Sequence, residues 1–155
     1  MSASRRARRS GGFTLIEIMA VVMIMGLLIG LVGTSVFQQV SSARVGTSRA
    51  QLKSLEAALG FYQFDNGRFP TTEQGLDALV HKPTGAPEPR NWRTGGYLKG
   101  SKVPADAWKG EYQYESPGTH NTDSFDLWSL GADGAAGGEG TDADIGNWSE
   151  ETTPE

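Results

Sequence analysis

The hydrophobic pattern divides the first 66 residues into two kinds of helix. No charged residue stands between Glu17 and Arg44, a run of about 26 residues. Within it Ile18–Val32 reads IMAVVMIMGLLIGLV, apolar on every face a helix could present. A helix of ~20 such residues crosses a bilayer core, so the run predicts a transmembrane segment. Beyond it the pattern becomes one-sided. Val45, Leu52, Leu55, Leu59 and Tyr62 recur at helical spacing, while Arg44, Arg49, Lys53 and Glu56 take the other faces. This half predicts a helix that packs one stripe against a folded body. Asp65-Asn66-Gly67 ends it, and Pro70 forbids its resumption. A single helix is expected from about Phe13 to about Phe64.

The remaining chain changes period. Thr71-Thr72-Glu73-Gln74 has the form of a capping box and predicts a short helix through about Val80. Pro83, Pro87 and Pro89 make 82–91 a loop. Residues 110–115 and 124–130 alternate in the manner of strands, and Ser116-Pro117-Gly118 to Asp123 reads as the turn of a hairpin. The expected fold class is α+β: a long N-terminal helix packed on a small antiparallel β-sheet. Tryptophans at 92, 108, 128 and 148 are nearly evenly spaced. Their flanks do not match, so they are core or interface anchors and not a repeat.

Charge sets the orientation. Arg5, Arg6, Arg8 and Arg9 precede the apolar run with no acidic residue among them. Basic residues stay on the cytoplasmic side, which puts the N-terminus inside and the body outside. Without those four arginines the chain holds ten basic residues against 18 acidic ones, which argues against nucleic acid as a partner. The 155-residue chain has no cysteine, so disulfides, zinc–thiolate sites and cysteine nucleophiles are excluded. Nucleotide-binding, serine-hydrolase and zinc-protease motifs are absent as well. His81 and His120 stand at a predicted helix end and a predicted turn without a second ligand at useful spacing. A periplasmic hydrolase would need a pocket, for which a small body leaves little room.

A cleaved secretory signal also has a basic head and an apolar core, but a polar mature start would come after it. An uncleaved anchor explains the hydropathy but not Glu17, since a lone carboxylate beside a membrane helix is costly. Gly11-Gly12-Phe13-Thr14-Leu15-Ile16-Glu17 resembles the prepilin cleavage motif of the type IV pilin superfamily. The resemblance implies that residues 1–12 are a leader and that a prepilin peptidase cuts after Gly12. Phe13 then becomes the N-methylated first residue, and Glu17 pairs with the Phe13 amine of a neighbouring subunit during assembly. It further implies a filament core over 13–40, an amphipathic spine over 41–66 and a periplasmic globular domain over 67–155. Where many members carry a proline, this chain has Gly33-Thr34, so no proline kink is available there.

The body narrows the resemblance. FDNGRFPTTEQGLDALV, GGYLKG, VPADAWKGEYQYESPG and FDLWSLGADGAAGGEGTDADIGNW are similar to the major pseudopilins of type II secretion systems. That family implies a structural subunit with no catalytic activity, anchored in the bacterial inner membrane by one pass. Its expected partners are further copies of itself, minor pseudopilins, the prepilin peptidase and the inner-membrane secretion platform. The polymer would drive export of folded proteins across the outer membrane. A pilin of an adhesion or DNA-uptake filament shares everything up to about Asn66, but usually closes a C-terminal loop with cysteines that are absent here.

One further stretch carries candidate chemistry. Six glycines fall between Gly131 and Gly146, interspersed with Asp133, Glu139, Asp142 and Asp144. Glycine entropy and carboxylate repulsion both oppose order in such a loop. Calcium would supply it, because it accepts carboxylates and backbone carbonyls in flexible geometry. Composition alone leaves a disordered acidic loop equally open. The stretch is no EF-hand, and Gly137–Asp142 gives only one copy of a β-roll repeat. The pseudopilin resemblance implies one calcium ion, with Asp133, Asp142 and Asp144 as side-chain ligands and the carbonyls of Leu130 and Ala135 completing the set.

Overall fold

The computed structural model describes residues 12–148, apart from the side chains of 31–35. The arginine-rich head and most of the expected leader, residues 1–11, lie outside the described residues, as does the acidic tail from Ser149. The first element is the 52-residue helix α1, Leu15–Asn66. Three short strands come later in the chain: β1 Gln113–Glu115, β2 Asp126–Ser129 and β3 Ile145–Gly146. They form one antiparallel sheet in the order β1-β2-β3.

The chain divides into two units, one up to Gln39 and one from Val40 onward. In the first, the described residues from Leu15 are helical and their large apolar side chains face outward; Leu15 is 82% exposed and Phe37 78%. Among the described residues no helix is long and apolar enough to cross a membrane. Side chains of the apolar run are described only as far as Gly30, short of the ~20 residues a bilayer core requires.

The second unit is built on the one-sided half of α1. Leu52, Leu55, Leu59 and Tyr62 bury against Leu76, Leu79, Tyr112, Phe125, Leu127 and Ile145. The stripe extends at both ends through polar residues whose groups are paired. Buried Ser48 accepts a hydrogen bond from the Ala107 amide at 3.1 Å, and its carbonyl accepts one from Tyr112 Oη at 3.0 Å. Buried Asn66 donates to the Tyr62 carbonyl and to Tyr97 Oη, and its Oδ1 accepts from the Asn91 amide. Gly67, at φ 77°, returns its amide to the Gln63 carbonyl at 2.7 Å. This left-handed cap ends α1 where the Asp-Asn-Gly signal placed its end.

The capping box forms, but the helix it announces does not. The Gln74 amide donates to Thr71 Oγ1, and the Thr71 amide donates to Gln74 Oε1. Gly75 then takes φ 58°, which breaks the helical path, and the chain makes only a 3₁₀ turn, Leu76–Leu79. Both predicted strands are present and shorter than expected. The two-residue β3 was not anticipated, because so short a strand has no period to read.

Candidate functional site

Two regions carry the residues that the sequence singles out. The first is the start of α1. Thr14 caps it: its carbonyl accepts from the amides of Glu17 (3.1 Å) and Ile18 (3.3 Å), and its hydroxyl accepts from Glu17 at 3.4 Å. Glu17 therefore stands in the first turn, where a negative charge opposes the positive end of the helix dipole. Gly12 and Phe13 precede the helix, and Phe13 is 79% exposed. A Cβ built on Gly12 meets nothing within 4 Å, so the chain's own packing does not require glycine there.

The second region is the loop between β2 and β3. It is closed by the Ser129–Ile145 pair of the sheet and crossed by backbone hydrogen bonds. The Ala132 amide donates to the Thr141 carbonyl at 3.0 Å, and the Asp144 amide donates to the Gly137 carbonyl at 3.0 Å. Gly131 and Gly138 have positive φ and pass against the Asp142 backbone; a Cβ on Gly138 would collide with the Asp142 carbonyl oxygen. These contacts define the path of the loop.

The three aspartates differ in position. Asp133 Oδ1 accepts from the Ala135 amide at 3.0 Å, capping its own turn. Asp142 is exposed. Asp144 Oδ2 accepts from the Gly137 amide at 3.0 Å, while its Oδ1 is buried with no hydrogen-bond partner. Leu130 leaves β2 directly, and Ala135 lies in the turn that Asp133 caps. Among the described residues no three His, Cys, Asp or Glu side chains stand together as a metal-holding group. Calcium also takes carbonyl oxygens, so the fit rests on its individual donors. A buried, unpaired carboxylate oxygen is expensive, and a hard cation is the partner that would satisfy it. Asp144 fits that requirement.

The loop leaves through residues that sequence reading missed. Asn147 replaces further strand pairing. Its amide donates to the Leu127 carbonyl, its Oδ1 accepts from the Leu127 amide, and its Nδ2 donates to the Phe125 carbonyl. It also hydrogen-bonds Glu56 on α1; burial nevertheless pushes the Glu56 carboxyl above its ordinary pKa, against that bond and the nearby Lys53. Beside it Asp126, 1% exposed, accepts from the amides of His120 and Asn121, from His120 Nδ1 and from Asn121 Nδ2. Burial pushes its carboxyl upward, and these bonds together hold it below the usual 3.8. His120 stacks on Trp148 with centroids 4.0 Å apart, and Trp148 meets Trp128 edge to face. The alternating polar residues around Phe125 were the available signal for this node.

A solvent-open groove of about 690 Å³ runs past β1, lined by Asp77, His81, Lys102, Tyr112 and Tyr114 among others. The groove is open to solvent and not an enclosed pocket. The short strands leave the edge of the sheet uncovered there. His81 Nδ1 lies 2.8 Å from Asp77 Oδ1, with both side chains largely in solvent.

Known proteins are similar to this chain over most of its length. The family described as "Type II secretion system (T2SS), protein G" matches residues 35–148, and a prokaryotic N-terminal methylation motif matches 7–33. Type II secretion system core protein G of Pseudomonas aeruginosa is 52% identical over 141 residues, covering 91% of this chain and 96% of that protein. Its counterpart in Vibrio cholerae is 49% identical over 144 residues, covering 93% and 95%. The crystal structure of the major pseudopilin from the type 2 secretion system of enterohaemorrhagic Escherichia coli is similar with a TM-score of 0.59 and 46% identity, over 69% of this chain and 88% of that one.

Proposed function

The chain belongs to the type II secretion system protein G family, the major pseudopilins, and from that premise we propose how it reaches its polymer: by cleavage after Gly12 and lateral packing of the released helix. As a member it is a structural subunit of the pseudopilus and not an enzyme, and it works within the secretion system.

Gly12 and Phe13 lie outside the helix, where an exposed peptide can enter a protease. The peptidase cuts between them and methylates the Phe13 amine. Thr14 keeps the helix start in place after the cut, so Glu17 stays one turn from the new terminus. Before assembly the uncharged run holds the subunit in the inner membrane, with the arginines inside and the body in the periplasm. In the polymer the Glu17 carboxylate pairs with the Phe13 amine of a neighbouring copy. Such a pair sets register more than stability. Minor pseudopilins and the inner-membrane platform complete the machine, which pushes folded proteins toward the outer membrane.

Calcium is the proposed cofactor of the β2–β3 loop. Asp133, Asp142 and Asp144, with the carbonyls of Leu130 and Ala135, would hold it. When bound it supplies positive charge that offsets the loop's carboxylates. The buried oxygen of Asp144 supports this reading.

The observation that carries the proposal is the order of features at the start of α1: an unpacked glycine, an exposed phenylalanine, a threonine cap and a lone glutamate before an uncharged helix. Its test is Glu17→Ala in the full chain. The variant is expected to be cut normally and to form no filaments; normal filaments would remove Glu17 from assembly.

A further inference from the structure

The chain passes out of β3 beside a basic stretch of α1. A small cleft of about 100 Å³ is walled there by Arg49, Lys53 and Glu56 of α1 and by the segment Ile145 to Asn147. Arg49 and Lys53 are one helical turn apart and so share a face. Glu56 offsets Lys53, and its carboxyl is already engaged by Asn147. Arg49 is half-buried, and among the described residues no carboxylate pairs with it. Exposed Arg44 adds to the same sign further along the helix. Residues 41–60 hold three basic side chains against one acidic, whereas 61–148 hold seven against 13. The positive surface of the body is therefore concentrated on this part of α1.

The segment that follows Trp148 has the opposite sign. Ser149–Glu155 contains Glu150, Glu151 and Glu155 and no basic residue. Glu150 stands three residues past Asn147, so even an extended chain keeps it within ~11 Å of the cleft wall. The β2–β3 loop just before it carries Asp133, Glu139, Asp142 and Asp144, which repel it. Arg49 attracts it. We propose that residues 149–155 fold back over this cleft of their own chain as a strap held by charge, with Glu150 and Glu151 against Arg49 and Lys53. The strap fastens the end of β3, an element of only two residues, to the helix it packs on. Both partners lie in one chain, so the inference does not depend on cleavage or assembly.

The test is carbodiimide coupling of the full chain in detergent, read by peptide mass spectrometry. The reagent joins a carboxylate to an amine only where the two touch. Lys53 should be joined to Glu150 or Glu151, and Arg49→Lys should add a second link from position 49. Arg49→Glu should lower the Lys53 link several-fold. So should ~1 M salt, where the Debye length is only ~3 Å. Mixing chains with and without heavy nitrogen should show the link within one copy. A tail joined instead to Lys102 or Lys109, to another copy or to nothing would overturn the strap. A link whose yield ignores both salt and Arg49→Glu would overturn it too.

Discussion

A carboxylate that is 1% exposed must be satisfied, and Asp126 is satisfied by two amides and two side chains. Its pKa lies below the ordinary value when folded, so its contribution to stability is present above about pH 4 and is lost as pH falls through the folded pKa. Acid melts should show this limb. Asp126→Asn should flatten it and cost on the order of 2–3 kcal/mol at neutral pH, measured by denaturant titration. The tyrosines act in the opposite direction. Burial raises both Tyr112 and Tyr114 to about 12 from 10.0. Their contribution is intact below pH 10 and disappears as pH rises toward 12, which an alkaline titration of the melting temperature would reveal. At Asp144 the expected outcome involves the ion. Calcium should raise the melting temperature of the wild-type protein by several degrees, roughly 4–8 °C per kcal/mol of binding energy for a domain of this size. Asp144→Ala should abolish the difference between calcium and chelator. An unchanged wild-type melting temperature in chelator would reject the calcium proposal.

Among the elements, α1 was legible because its stripe repeats. Leu52, Leu55, Leu59 and Tyr62 are the buried residues that the spacing named, and Leu59→Ala should cost about 2–5 kcal/mol. Ser48 and Asn66 extend the same stripe and were missed, because a polar residue is read as surface until its partners are known. The Thr71–Gln74 box was legible as a pair of hydrogen bonds but not as a helix. Gly75 sits where the chain turns left-handed, and a capping signal carries no information about the residues after it. The hairpin could be read from alternation. Strand β3 could not, since its position is set by Asn147 joining Leu127 and Phe125, contacts made across 20 or more residues. The site divides in the same way. Gly12, Phe13 and Glu17 belong to a local motif, and the N-terminal methylation motif that matches 7–33 spans them. The Asp126–His120–Trp148 node is only partly local: the polar residues around Phe125 hint at the Asp126–His120 pair, but Trp148 joins it from more than 20 residues away.

At the scale of the molecule, the chain combines a body that encloses an apolar core with a helix whose described apolar side chains face outward. Among the described residues, the large apolar side chains from Leu15 to Ile29 and those of Val36 and Phe37 are exposed, which is the condition that assembly relieves. Family membership identifies the product as a pseudopilus subunit. On the mechanism proposed above, removal of the head makes the helix start competent to meet another copy, and Gly12→Ala, which disturbs no packing, should leave the precursor at full length on a gel. The most direct measurement is the intact mass of the protein purified from its native cells. The account predicts a chain that begins at Phe13 with one added methyl group on its amine. A chain that still carries Arg5, Arg6, Arg8 and Arg9 would contradict it.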